Sequence, residues 1–305
     1  MTTPLYSLDS AMAAEARGTS PVLLYALDGF VDAGMAAGLA IGDFLGHGDA
    51  RRVVTFDVDE LVDYRSRRPP MVIGEAGWEA VHTPELAIDL IRDAKGTDFL
   101  LMYGPEPDVR WEAFAGAIGD IAGDLGVSQA IGMHGLPAPT PHTRPLRVTS
   151  PATGVALVQG EARKAKVQVP GSAQALIDYR LAERGIDSKT VLVHVPHYLS
   201  VLPYAPAAVA LLERVSQVSS LDFDLSRLTA QAETTGRDIA RQIEGSSELE
   251  EMVRDLERRH DERNGSGLLA LPGEALPDAE TIAAELEAFL AEQSRSDDGD
   301  HPSES

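Results

Sequence analysis

Short apolar runs recur along the first two thirds of the chain with helix-like stretches between them, and the recurrence stops after Val195. Residues 21–27 (PVLLYAL) form an almost wholly apolar run bounded by turn residues, and 52–58, 98–103, 127–133 and 190–195 (TVLVHV) read as further strands rich in apolar residues. Strands of that kind are covered on both faces, as in a parallel sheet. Between them lie stretches that read as helices with glycine exits: residues 35–45 before Gly46 and Gly48, 84–94 with Thr83 as cap and Gly96 as stop, 109–125 before Gly126, and 172–183 before Gly185. The alternation predicts an α/β sheet with helices on both faces.

Two departures divide the chain. After Gly135 the prolines crowd into LPAPTPHTRP, which continues neither a helix nor a central strand. From residue 205 onward the periodicity is helical only: 205–218, 225–243, 248–260 and 279–292, the third opening with Ser247 and Glu250 in capping-box spacing. The reading is a sheet domain over 1–220, a helical appendage over 221–292 and a polar, acidic, disordered tail over 293–305. Within the appendage, Leu249, Met252, Val253 and Leu256 form a stripe. It is expected to pack in a hairpin against Ile282, Leu286, Phe289 and Leu290.

Charge and composition narrow the function. Forty-eight acidic against 26 basic residues give a net charge of -22, which repels phosphate backbones and anionic lipid surfaces, so neither nucleic acid nor membrane is an expected partner. With no cysteine there is no disulfide, thiol nucleophile or cysteine-bound metal. The first 18 residues lack a basic and apolar leader pattern, and no run of about 18 apolar residues occurs anywhere, so the cytoplasm is the expected compartment.

In open α/β sheets ligands gather at the carboxyl ends of the strands. After the first strand, DGFVDAG places Asp28 and Asp32 before a helix; Asp32 is either a ligand group or the helix cap, and GxGxxG is missing. GPEPDVRW contributes Glu106, Asp108 and Arg110, where Asp108 is either a cap or a site residue. The proline-stiffened loop that follows adds His142 and Arg144, and the last strand runs out into His197 and Tyr198. These nine residues form a candidate cluster on one sheet edge, in which Arg110 or Arg144 is expected to pair with a cluster carboxylate. His194 lies inside its strand and His197 beyond the end, so no metal site is expected. No serine elbow is present, and no cofactor is implied. DYRSRRPP, with Tyr64, Arg65, Arg67 and Arg68, concentrates cations in an acidic chain and reads as a subunit interface, with an anion site as the alternative.

Taken in order, DGFVDAG at Asp28, DYRSRRPP at Asp63, GPEPDVRW at Gly104, PHTRPLRV at Pro141, HVPHY at His194 and PYAPAAVALLERV at Pro203 resemble the actinobacterial branch of the proteasome assembly chaperone 2 family over about residues 20–260. The resemblance implies a three-layer α/β/α fold similar to the phosphorylase and hydrolase class, followed by a helical C-terminal portion. It implies a non-catalytic binding or assembly role with a proteasome-related protein partner, and it carries over no catalytic residues. Phosphorylase-like folds also imply a homo-oligomer, with a trimer favoured. Some relatives dock through a C-terminal hydrophobic residue, tyrosine, any-residue tail; this chain ends His301-Pro302-Ser303-Glu304-Ser305, so docking of that kind is not expected. The alternative is a small-molecule hydrolase or transferase using the strand-end loops.

Overall fold

The computed structural model describes residues 4–150 and 168–265. The expected helix at 279–292, its hairpin with 248–260 and the tail at 293–305 lie outside the described residues.

In chain order the elements are β1 (Tyr6–Leu8), α1 (Ser10–Arg17), β2 (Val22–Asp28), α2 (Ala36–Gly46), β3 (Arg51–Phe56), β4 (Met71–Gly74), β5 (Gly77–Val81), β6 (Ala87–Arg92), β7 (Asp98–Pro105), α3 (Trp111–Leu125), β8 (Gln129–Ala138), β9 (Val148–Thr149), α4 (Ala173–Glu183), β10 (Asp187–Pro196), α5 (Ala205–Ser219), α6 (Ser226–Glu244) and α7 (Ser247–Gly265). Eight strands form one sheet in the order β1-β3-β6-β7-β2-β8-β10-β9, and β4 and β5 form a separate hairpin. The central strands β7, β2, β8 and β10 are parallel, in registers such as Leu24 opposite Leu101 and Val191 opposite Met133.

Strand alternation divides the core in two. Leu23, Tyr25 and Leu27 of β2 face a cluster built with α1, α3 and α4, including Phe114, Ile118, Ile177 and Leu181. Leu24 and Ala26 face the opposite cluster, built with α2, α5 and α6, including Phe44, Leu211, Leu212 and Leu228. The fold is therefore a three-layer α/β/α sandwich with C-terminal helices. Phe44, Phe99 and Phe223 close the second cluster with ring centroids 5.0 to 5.8 Å apart. Leu228 and Ile239 of α6 are buried in that same cluster, so one compact unit runs from the sheet through His260.

The stretch at 84–94 is not a helix. Residues Ala87–Arg92 form β6, antiparallel to both β3 and β7. Its residues from Ala87 to Ile91 are all buried, Asp89 among them, so both faces are covered, and a short segment interrupted by a carboxylate fits one face of a helix as well as a strand until a neighbour pairs with it. Inside it Asp89 is buried because Arg52 of β3 and the Tyr103 hydroxyl of β7 (2.8 Å) both bond to its carboxylate.

The parallel strands fix where loops collect. The carboxyl ends of β2, β7, β8 and β10 share one edge, and the antiparallel neighbours bring the end of β3 and the start of β6 to it as well. The β4-β5 hairpin, inserted between β3 and β6, springs from that same edge.

Candidate functional site

The expected carboxylates lie on the strand-end edge, and most of them hold backbone. Asp32 Oδ1 accepts the N–H of Ala37 and of Gly135, both at 3.0 Å, and its Oδ2 accepts the N–H of Gly38 at 2.9 Å. One side chain thus caps the first turn of α2 and ties it to β8. The tie needs close backbone approach: a Cβ on Gly135 would strike the backbone of Ala33. Glu106, buried, accepts the N–H of Ala173 at 2.5 Å on Oε1, satisfying an orphan donor at the start of α4, where Ser172 satisfies Ala175. Asp108 Oδ2 accepts the N–H of Asp63 at 2.8 Å.

The cation of this group is Arg67. Its Nη2 donates to the Glu106 carbonyl at 2.6 Å and to Asp108 Oδ1 at 2.5 Å. Arg67 therefore turns into the edge, where it joins the loops that follow β3 and β7. Arg110 pairs with Glu60, and Arg144 pairs with Glu257 at 3.1 Å, so the expected pairing through Arg110 or Arg144 is replaced by one through Arg67. Of the other arginine-loop residues, Tyr64 donates its hydroxyl to Asp59 at 2.6 Å, while Arg65 and Arg68 are exposed. Asp28 lies at the end of β2. Partial burial and the neighbouring Asp32 charge raise its carboxyl above the usual range, with Arg67 pulling the other way.

A second group sits at the end of β10. The His142 backbone N–H donates to the Tyr198 hydroxyl at 2.9 Å, and the His142 Nδ1 lies 2.7 Å from the same oxygen. The His142 Nδ1 and the Tyr198 hydroxyl thus share one hydrogen bond, which holds the ring against the end of β10. Burial lowers the His142 ring's affinity for a second proton and raises the Tyr198 hydroxyl's pKa. The exposed His197 ring stands edge-on to Tyr198 at 5.5 Å. Arg144 and Thr143 both reach Glu257 of α7, fastening that helix to the proline-rich loop. Among the described residues no hydrogen bond or ion pair joins this group to the Glu106 and Asp108 group. His194 and His134 point elsewhere: His134 Nδ1 meets the Val31 carbonyl at 3.1 Å, and burial, helped by Arg147, pushes the His194 imidazole down to about 4.

Beside these polar groups the edge turns large apolar side chains outward. Of the thirteen large apolar side chains exposed among the described residues, ten belong to it. Five lie on the loops: Phe30, Met35, Val109, Val201 (85% exposed) and Leu202. The other five, Met71, Val72, Ile73, Trp78 and Val81, lie on the β4-β5 hairpin. The loops are held firmly, since the Gly34 N–H donates to the Ser200 carbonyl at 2.7 Å and the Tyr204 N–H to the Gly34 carbonyl at 2.8 Å. Sequence reading missed this outward face because it followed charge. The available signal was Met71 to Ile73 and Trp78 to Val81 flanking Gly-Glu-Ala-Gly, an apolar hairpin around a two-residue turn.

Fold and edge together define an α/β/α protein with an enzyme-like topology whose polar edge groups brace loops that carry apolar residues. The chain belongs to the PAC2 family, whose model matches residues 26–243. Solved structures similar to it include a Mycobacterium tuberculosis protein of unknown function, at 38% identity over 88% of this chain and 92% of that one, with a TM-score of 0.78. A Corynebacterium glutamicum protein of unknown function is 33% identical over 85% of this chain and 97% of its own, with a TM-score of 0.76. A Mycobacterium tuberculosis proteasome-assembly chaperone homologue is 32% identical over 76% of this chain and 99% of its own, with a TM-score of 0.67. No curated protein gives a significant match.

Proposed function

We propose that this chain is a non-catalytic, assembly-chaperone-like protein of the cytoplasm that binds a proteasome-related protein through its strand-end edge. The observation that carries the reading is the apolar loop set Phe30, Met35, Val109, Val201 and Leu202, displayed on loops that Asp32, Glu106, Asp108 and Arg67 hold rigid. Exposed apolar residues grouped on one surface mark protein contact, and rigid loops lower the entropy lost on docking. The family and the similarity to a proteasome-assembly chaperone homologue direct the choice of partner. No helix among the described residues is long and apolar enough to cross a membrane.

The test is binding of the purified chain to purified proteasome α and β subunits of its own host, measured by biolayer interferometry. Val201→Ser with Leu202→Ser is expected to weaken binding by tenfold or more at unchanged melting temperature. No binding by the unmodified chain, or equal binding by the variant, would overturn the proposal.

A further inference from the structure

Between β2 and β7 the exits of the sheet part. α2, which follows β2, packs on one face of the sheet, and α3, which follows β7, packs on the other. The two strands are parallel neighbours, with Asp28 opposite Pro105 at their carboxyl ends. Exits that part in this way open a crevice at the strand ends, which is where open α/β sheets hold ligands. Here the crevice widens beside α2 into a cavity of about 400 Å³.

Glycine makes room for it. Gly38, Ile41 and Gly42 are spaced i, i+3 and i+4, so they share one face of α2, and that face is a wall of the cavity. A Cβ added at Gly42 would meet no atom within 4 Å, so this glycine leaves space open instead of admitting a neighbour. Pro84 and Glu85, at the approach to β6, line the cavity as well, as do Tyr103 and Pro105 of β7. Ile41 and the two prolines supply its apolar surface.

The polar groups select charge. Tyr103 has committed its hydroxyl, which donates to Asp89 at 2.8 Å and accepts from Arg52 at 3.1 Å, and Glu85 is paired with Arg52 at 2.7 Å. Asp28 remains. Among the described residues its carboxylate makes no hydrogen bond and no ion pair, whereas Asp32, Glu106 and Asp108 each hold backbone, and Arg67 is turned to Asp108. Among the described residues no lysine, arginine or histidine lines the cavity. A site with an open carboxylate and no cation repels anions and suits a ligand that brings its own positive N–H group.

We propose that this cavity binds a small organic ammonium ion, whose N–H groups donate to Asp28 and whose apolar body lies against Ile41, the two prolines and the glycine face of α2. A charge-assisted hydrogen bond to the carboxylate anchors the head. The volume falls at the lower end of the range of about 300–1,000 Å³ usual for ligand sites, which limits the body to a short chain or a single ring. The site stands on the cavity and on Asp28, and is independent of what the exposed loop residues bind.

Isothermal titration calorimetry and saturation-transfer difference NMR on the full chain, with benzylammonium at neutral pH and physiological salt, test it, and benzyl alcohol and benzoate serve as probes of the same shape. Benzylammonium is expected to bind one to one and at least tenfold more tightly than benzyl alcohol, and benzoate is expected not to bind. Asp28→Asn is expected to weaken the amine tenfold or more. Gly42→Leu, which fills the open space, is expected to abolish binding at an unchanged or raised melting temperature, since leucine favours a helix more than glycine does. Glu248→Gln removes an exposed carboxylate from α7, controls for net charge and is expected to bind as the parent does. No saturable binding of benzylammonium, equal binding of benzoate, affinity that survives either Asp28→Asn or Gly42→Leu, or an equal loss in Glu248→Gln would each overturn the site. The variant at Val201 and Leu202 is expected to bind the amine like the parent, so this proposal and the partner reading fail separately.

Discussion

Asp32→Ala distinguishes a carboxylate that builds the edge from one that serves a ligand. In the native chain this side chain accepts three backbone N–H groups, from Ala37, Gly38 and Gly135. Removing an N-terminal cap costs about 1 kcal/mol, and stranding the buried Gly135 N–H beside the Ala33 backbone adds about 1–3 kcal/mol. The expected loss is about 3 kcal/mol, which for a body of this size lowers the melting temperature by roughly 9 °C at about 2–4 °C per kcal/mol. Asp32→Asn should fall between, since one oxygen still accepts while the amide nitrogen faces an N–H donor. The assay is thermal unfolding followed by circular dichroism at 222 nm and neutral pH. An alanine variant melting within about 2 °C of the parent would refute the structural role and return Asp32 to the list of candidate ligand groups.

Three further outcomes follow from the same geometry. Tyr25→Phe removes a buried hydroxyl that donates to Asp178 at 2.6 Å; Ser188 and Thr190 still bond that carboxylate, so the expected cost is about 1.5 kcal/mol by urea unfolding, and Asp178→Ala, which strands all three hydroxyls, should cost about twice that. Gly104→Ala should cost more than about 2 kcal/mol, because Gly104 has φ of +131° and a Cβ there would meet the Glu85 carbonyl, and a midpoint unchanged in urea would contradict it. His194 is held neutral down to about 4, below the ordinary 6.5 or so, so the unfolded chain binds the extra proton first. Stability is then full above about pH 6.5 and declines as the pH falls toward 4, and His194→Gln should flatten that decline in pH-dependent unfolding.

How far the sequence disclosed this structure depended on what each segment needed from its neighbours. The strands from Val22 to Asp28, Asp98 to Pro105 and Asp187 to Pro196 declared themselves because burial on both faces forces a continuous apolar run. Parallel order then placed Asp28, Glu106 and His197 at one edge without coordinates. β6 was hidden because Asp89 breaks the apolar run, and only Arg52 and Tyr103, distant in sequence, make that carboxylate acceptable inside. Arg67 was hidden for the same reason: nothing local distinguishes it from Arg65 and Arg68, and its partners Glu106 and Asp108 lie about forty residues on. The exposed loop residues were the least legible, since an exposed valine such as Val201 is identical in sequence to a buried one such as Val195.

The edge assigns its polar and apolar residues to different tasks, and substitutions should separate them. Glu106 spends its carboxylate on the Ala173 N–H and its carbonyl on Arg67, so it acts on the fold. Glu106→Ala leaves the first donor of α4 unsatisfied in a buried setting and should cost about 1–2 kcal/mol, while Glu106→Gln, whose amide oxygen can still accept that bond, should cost about half as much. Neither places a new group on the exposed loops, so affinity for a docked protein should change less than twofold at temperatures where both variants are folded. Val201, 85% exposed, makes the opposite case: its truncation to serine should change stability by less than about 0.5 kcal/mol yet weaken docking. Measuring unfolding midpoints and partner affinity on the same three proteins gives a crossed pattern if polar residues brace and apolar residues contact. A Glu106→Gln protein that kept its stability but lost a ligand or partner would mean that this carboxylate faces a binding event, and the division between bracing and contact would have to be abandoned.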